Sequence, residues 1–422
     1  MAVKIAVVGG GSTYTPELIE GFVNRANRLP VDELVLLDID AERLDVVGGL
    51  AERMLAKAGW GARLTLTTDQ DQALEGADFV LIQLRVGGQH ARLVDETLPL
   101  RFGCIGQETT GPGGFAKALR TVPVVLELAE QTARRAASTA WIIDFTNPTG
   151  IVTQALLDEG HRAIGLCNVA IGFQRLFAEY LGVEPERVEL DHVGLNHLTW
   201  ERAVRLDGHD VLPDMLAEHL DELSARTEIP AELIRGLGAV PSYYLRYYYL
   251  TAEVLEHQRN HPSRAEEVLT IEAQLLDMYR DTAVREKPKL LERRGGAFYS
   301  EAAAQLAASL NDGRGDLQVV NVRNNGALPD VADDVVVEVP ARIDRDGAHP
   351  FPLEPLEDAM LDLITRAKEY ELLTVRAARS GDRDMALKAL MANPLVEDGT
   401  ARALLTQLLK ANRAYLPRFF PN

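Results

Sequence analysis

Lys4-Ile5-Ala6-Val7-Val8 runs directly into Gly9-Gly10-Gly11 and then Ser12-Thr13-Tyr14, and this order constrains the fold more than any other feature of the chain. An apolar strand meeting three glycines predicts a sharp turn. A helix follows, with Thr15 as the expected N-cap and Pro16 at the first helical position. Glycines at such a turn let backbone approach a pyrophosphate, and the free N–H groups of the helix start favour its charge. Gly9, Gly10, Gly11, Ser12, Thr13 and Tyr14 are therefore the expected cofactor-binding residues. In the pattern G-x-G-x-x-G, Gly9 and Gly11 take the first two glycine places and Tyr14 stands in the third. A second apolar run, Leu34-Val35-Leu36-Leu37, ends at Asp38, an acid placed to accept hydrogen bonds from an adenosine ribose. A plain glycine turn with Asp38 as a strand-end residue is the alternative. Strand, turn, helix, strand and acid in sequence favour the dinucleotide.

Strand and helix patterns continue to alternate through residues 1–165. A helical pattern over 41–59 precedes strands at 64–67 and 79–83. A polar loop carrying Gly87, Gly88 and Gly111–Gly114 leads into a helix over 116–136, and strands at 141–145 and 163–167 follow. This alternation predicts an α/β fold: a Rossmann-like, doubly wound parallel sheet. Ligands of such sheets lie beyond the carboxyl ends of the strands, where Arg85, Asn147 and Cys167 stand. Past residue 170 the pattern loosens to α+β, with strands at 188–193, 200–206, 317–322 and 335–339. Helices are expected over 231–250, 264–282 and 356–390. The division this implies is a dinucleotide-binding domain over 1–168 and an α+β domain over 169–422.

Bulk properties exclude several classes. A net charge of −19 argues against nucleic acid as a partner, because phosphate backbones need clustered Lys and Arg. No apolar run is long enough to span a membrane. Cys104 and Cys167 cannot build a disulfide framework, and no leader precedes the first strand, so a cytoplasmic location is expected.

Other residues carry chemistry. Cys167 and His197 both follow strands, and thiolate and imidazole can share a metal. Two protein ligands suit an open site completed by water or substrate oxygens, although a buried Cys or His alone is more often structural. Tyr243, Tyr244, Tyr247, Tyr248 and Tyr249 crowd one predicted helix around Arg246. Such a stripe is more often core, but a tyrosine beside a metal and an arginine can act as a base. Arg92 and Arg264 could clamp a phosphate, or pair with surface acids.

Taken together these segments resemble glycoside hydrolase family 4, most closely its 6-phospho-β-glucosidases. The resemblance spans nearly the whole chain: Gly9 to Leu18, Gly106-Gln107-Glu108-Thr109-Thr110-Gly111, Phe145-Thr146-Asn147-Pro148, Gly165-Leu166-Cys167-Asn168-Val169, Gly194-Leu195-Asn196-His197-Leu198, Tyr244-Leu245-Arg246-Tyr247-Tyr248 and Arg323-Asn324-Asn325-Gly326. Ala170 stands where the family's β-type motif usually has proline. The resemblance implies the architecture of lactate and malate dehydrogenases and an NAD-dependent exception to two-carboxylate glycoside hydrolysis. It makes 1–168 an NAD-binding domain and 169–422 a catalytic, substrate and oligomerisation domain. C3 of the sugar is oxidised, the C2 proton is removed, the glycosidic bond breaks by elimination, water adds and the hydride returns.

By the same resemblance Cys167 and His197 are ligands of Mn²⁺ or another divalent metal, and Tyr244 is the base. Arg92, Asn147, Asn168 and Arg264 bind the substrate, a small phosphorylated β-glucoside, and Arg85 belongs to the cofactor site. Asn168 occupies the position of an acid in α-specific relatives and cannot itself protonate a leaving group; the acid is unassigned, with Glu108 as its candidate. A homodimer or homotetramer is expected. Two readings stay open: a relative acting on another β-linked sugar, unphosphorylated or galacto, and a simple NAD-dependent dehydrogenase.

Overall fold

The computed structural model describes residues 3–296 and 298–420. Six parallel strands come first: β1 (Val3–Val8), β2 (Val31–Leu37), β3 (Arg63–Thr67), β4 (Phe79–Ile82), β5 (Trp141–Asp144) and β6 (Ala163–Gly165). A hairpin of β7 (Val188–Leu195) and β8 (Leu198–Leu206) then begins a separate sheet, joined by β9 (His209–Asp210) and β10 (Val240–Pro241). Finally β11 (Asp316–Arg323), β12 (Val336–Asp344) and β13 (Gly347–Pro350) return to the first sheet. Its order is β13-β12-β11-β6-β5-β4-β1-β2-β3, parallel from β6 to β3 and antiparallel from β11 outward. The long sheet is thus built from both ends of the chain.

Alternate residues of β1 feed two cores, as a strand with a period of two requires. Ile5 and Val7 pack with Leu18, Ile19 and Phe22 on one face, while Ala6 and Val8 pack with Phe115, Leu119 and Val122 on the other. Covering both faces explains why β4 reads as an unbroken apolar run, all of it buried. The connections reverse direction between β1 and β4, which are hydrogen-bonded neighbours. A crevice opens at such a reversal, at the carboxyl ends of the strands.

Four local readings are corrected. The first helix is Thr15–Asn24, with Tyr14 in the N-cap place. Thr15 is already helical, and its hydroxyl donates to the Gly10 carbonyl at 2.8 Å. The helix expected from 116 starts earlier, at Gly111, and takes Gly113 and Gly114 into its first turn because larger residues there would strike Gln107 and Thr109 backbone. The helix expected over 231–250 is broken. Gly238 adopts φ +61° and ends Ala231–Leu237, Val240–Pro241 is a strand, and Tyr243–Leu245 is a 3-10 turn. Gly381, at φ +70°, likewise splits the last long helix into Asp358–Ser380 and Arg383–Ala392.

Candidate active site

At the glycine turn the N–H groups of Gly9 and Gly10 both donate to the Leu37 carbonyl, at 2.9 and 2.8 Å, so the turn is pinned to the end of β2. Gly9 has φ +89° and a Cβ there would stand 2.9 Å from the Gln83 carbonyl oxygen; only glycine suits it. Asp38 accepts from the Gly11 N–H at 2.8 Å. Asp40 caps the helix Ala41–Ala58, whose Arg43 reaches back to the Gly11 carbonyl at 2.7 Å. Thr13 faces away from the crevice: it is fully buried and its hydroxyl donates to Glu272. Its expected role is thereby reduced to the backbone.

The crevice is a cavity of about 1230 Å³. Gly9, Ser12, Tyr14, Asp38 and Arg85 line one end, and Arg92, Glu108, Asn147, Asn168, Tyr244 and Arg264 line the rest. Eleven sequence positions separated by up to 255 residues thus meet in one space. Sequence reading missed other wall residues, among them Lys117, Ser263, Arg294 and Tyr299. Arg294 belongs to a buried cluster around Glu272, which also receives hydrogen bonds from Gln89 and Thr13. Nothing in their local patterns marks them, because helix and loop place them there only after folding.

Glu108 is buried among Arg85, Arg92 and Lys117, with Lys117 Nζ at 2.7 Å and Arg92 Nε at 3.4 Å. Burial opposes its charge, yet these three cations hold its pKa well below the usual carboxylate range. Glu108 is therefore a fixed carboxylate, which corrects its expected role as proton donor. Lys117 is the group here that titrates near neutrality: burial, then Arg85, bring it down to about 7. Arg92 also pairs with Glu96 at 2.7 Å, and Glu96 accepts from the Ala265 N–H at the start of helix Arg264–Arg280. Arg264 is more exposed and spans Glu267 and the Arg293 carbonyl.

His197 sits in the two-residue turn between β7 and β8, in the left-handed region at φ +64°. Its Nδ1 lies 2.8 Å from Thr109 Oγ1. Its Nε2 is buried without a hydrogen-bond partner. Burial lowers its pKa to about 4, so the imidazole is neutral. A neutral ring with one nitrogen anchored and the other bare is the state a metal ligand requires. The Tyr244 ring stacks on it, centroids 3.7 Å apart and planes within 9°. Cys167 is buried beyond β6, hydrogen-bonded by Tyr299 and Asn196; burial and the Glu338 charge push its thiol pKa up. Among the described residues no group of three or more His, Cys, Asp and Glu could hold a metal. Asn147 Oδ1, also buried and unpartnered, supplies an acceptor in the same cavity. Asn168 lines it from the N-cap of Val169–Leu181.

Two sequence profiles match, one described as family 4 glycosyl hydrolase over residues 4–183 and one as the C-terminal domain of that family over 192–396. The chain belongs to glycosyl hydrolase family 4. Its relatives in this family include a probable 6-phospho-β-glucosidase of Bacillus subtilis (strain 168), 42% identical over 99% of this chain and 98% of the relative. Another, the 6-phospho-β-glucosidase of Escherichia coli (strain K12), is 36% identical over 99% and 96%. The fold matches that of the Thermotoga maritima 6-phospho-β-glucosidase solved with manganese, NAD⁺ and glucose-6-phosphate, with a TM-score of 0.91 and 35% identity over 98% of this chain and 99% of that one. A malate dehydrogenase of Plasmodium falciparum shares the architecture at a TM-score of 0.54 and 16% identity, over 91% of this chain and 99% of that one. That last likeness is one of fold alone.

Proposed function

We propose that this family 4 chain is a 6-phospho-β-glucosidase that uses NAD and Mn²⁺ or another divalent ion. The observation that carries the reading is the buried, neutral, unpartnered Nε2 of His197, whose ring stacks on Tyr244, a residue that lines the same cavity as the glycine turn.

The Gly9–Tyr14 turn, Asp38 and Arg85 would hold NAD, and Cys167 and His197 the metal. When bound, NAD supplies reversible hydride exchange with a sugar carbon and the divalent ion supplies Lewis acidity to sugar oxygens. Tyr244 takes the proton from C2. Burial, then the neighbouring Cys167, keep its phenol protonated in the protein alone, so added positive charge beside the ring is what turns it into a base. Asn147 and Asn168 orient the sugar's hydroxyls. Arg92 and Arg264 face the 6-phosphate, and Glu108 holds Arg85, Arg92 and Lys117 in place.

The same proposal includes a functional division at residue 168, with the cofactor-holding residues before it and His197, Tyr244 and Arg264 after it. It also includes homodimeric or homotetrameric assembly and a cytoplasmic location. Support for the location comes from two free cysteines and from the lack, among the described residues, of any helix long and apolar enough to cross a membrane. Light scattering of the purified protein measures the assembly.

Release of p-nitrophenol from its 6-phospho-β-glucoside tests the function, after bound ligands are stripped and with NAD⁺, Mn²⁺ and reductant added singly and together. Hydrolysis that requires both NAD⁺ and metal, with no net NADH, is expected. Hydrolysis indifferent to both overturns the reading.

A further inference from the structure

Behind Cys167 and His197 lies a buried polar network that none of the steps above uses. His192 on β7 faces Glu201 on β8 across the hairpin, with Nδ1 and Oε1 2.6 Å apart. The other ring nitrogen lies 3.1 Å from Oε1 of Glu338 on β12. Asn321 on β11, the cross-strand partner of Glu338, donates to its Oε2 at 2.8 Å. Asn196 donates to the same oxygen at 3.0 Å. The three side chains around Glu338 and Glu201, those of His192, Asn196 and Asn321, all come from strands or the turn between β7 and β8. Burial opposes charge on His192, but the two carboxylates raise its pKa to about 10, so both ring nitrogens donate. Buried charges of this kind are costly unless every lone pair is met.

The network ends on Asn196. Its amide donates to Glu338, and its side chain also hydrogen-bonds the Cys167 thiol. Asn196 is also the turn residue immediately before His197. Cys167, in turn, follows β6 by two residues, and Gly165 of that strand pairs with Asn321. Glu338 therefore bonds to Asn196, the residue before His197, and to Asn321, the strand partner of Gly165 two residues before Cys167.

We propose that Glu338, clamped by His192 and Asn321, is a positioning residue for the divalent metal: it fixes the Asn196 amide so that the Cys167 thiol and the His197 imidazole converge on one ion. Outer partners of this kind orient ligands without touching the metal. The inference rests on the metal site assigned above to Cys167 and His197.

Mn²⁺ binding tests it, read from the electron paramagnetic resonance of free Mn²⁺ during titration, with NAD affinity and melting temperature measured on the same proteins. Glu338→Gln and Asn196→Ala should each weaken Mn²⁺ binding about 10–100-fold and leave NAD affinity unchanged. The double variant should be no weaker than the worse single one, because both substitutions cut the same link. Unchanged Mn²⁺ affinity in either folded variant, equal losses of Mn²⁺ and NAD affinity, or additive losses would overturn the proposal. Asn196→Ala carries the test alone if Glu338→Gln does not fold. His197→Ala separates the two levels: binding indifferent to that substitution removes the metal site itself.

Discussion

Tyr244 is useful as a base only if something favourable happens beside it. In the protein alone its hydroxyl is desolvated and faces Cys167 and Glu108, all of which resist ionisation. Tyr244→Phe keeps the stacked ring on His197 and removes only the proton acceptor. Mn²⁺ and NAD affinities should hold while kcat falls by roughly 10²–10⁴, the usual range for a general base. Near-normal turnover in that variant removes Tyr244 from the chemistry. Glu108 makes the opposite case. Three cations fix it as a carboxylate, so it has no proton to give. Glu108→Gln should lower kcat/KM by the same factor for p-nitrophenyl and methyl 6-phospho-β-glucosides, since a missing proton donor would penalise the poorer leaving group far more. It should also destabilise the fold by about 3–5 kcal/mol, because Arg85, Arg92 and Lys117 lose their shared partner. Selective loss on the methyl glycoside would restore Glu108 as the acid.

Among elements, helix Arg264–Arg280 does most to define the site, since it is tied to the glycine turn at both ends of one contact. Tyr279 donates to the Thr13 carbonyl at 2.7 Å, and Glu272 accepts from the Thr13 hydroxyl. Burial raises the Glu272 pKa, but Arg294 and Arg43 outweigh it and bring the value down to about 2. A carboxyl depressed from 4.5 in the folded state stabilises the protein above pH 4.5 and loses that contribution as pH falls toward 2. The amount is on the order of 3 kcal/mol. Thermal melts should show wild type losing its advantage over Glu272→Gln as pH falls from 5 to 2; parallel curves would show that the clamp is not electrostatic. This helix was legible in the sequence to within two residues, as were β1 and β3 to β6, with β2 starting three residues earlier than read, because period and capping are local. The tyrosine-rich segment was not. Its aromatic spacing mimics a helix, and only the left-handed Gly238 and the pairing of Val240–Pro241 with β8 turn it into the irregular stretch that presents Tyr244. Cys167 and His197 stood out by residue type and strand-end position. Lys117, Arg294 and Glu338 did not, since their meaning depends on partners 9, 22 and 146 residues away.

At the scale of the molecule, the cavity has no single owner. The glycine turn and the segments that follow β4 and β5 line it from the first half of the chain, and Tyr244, Arg264, Arg294 and Tyr299 line it from the distal half. The Thr13–Glu272 contact and the return of β11 to β6 join those halves directly. A ligand that orders the turn should therefore order the helix behind it. With NAD at 100 times its Kd, the stabilisation is about 2.7 kcal/mol, spread over every element that loosens when the turn does. Hydrogen–deuterium exchange should show NAD slowing amides in Arg264–Arg280 as well as in Thr15–Asn24, with β13 at the far sheet edge unaffected. Adding Mn²⁺ should extend the protection to the β7–β8 turn, where Asn196 and His197 sit. Protection that stays within residues 1–168 would mean the two walls bind independently, and the distal wall would then have to be assembled by the sugar phosphate rather than by the cofactor.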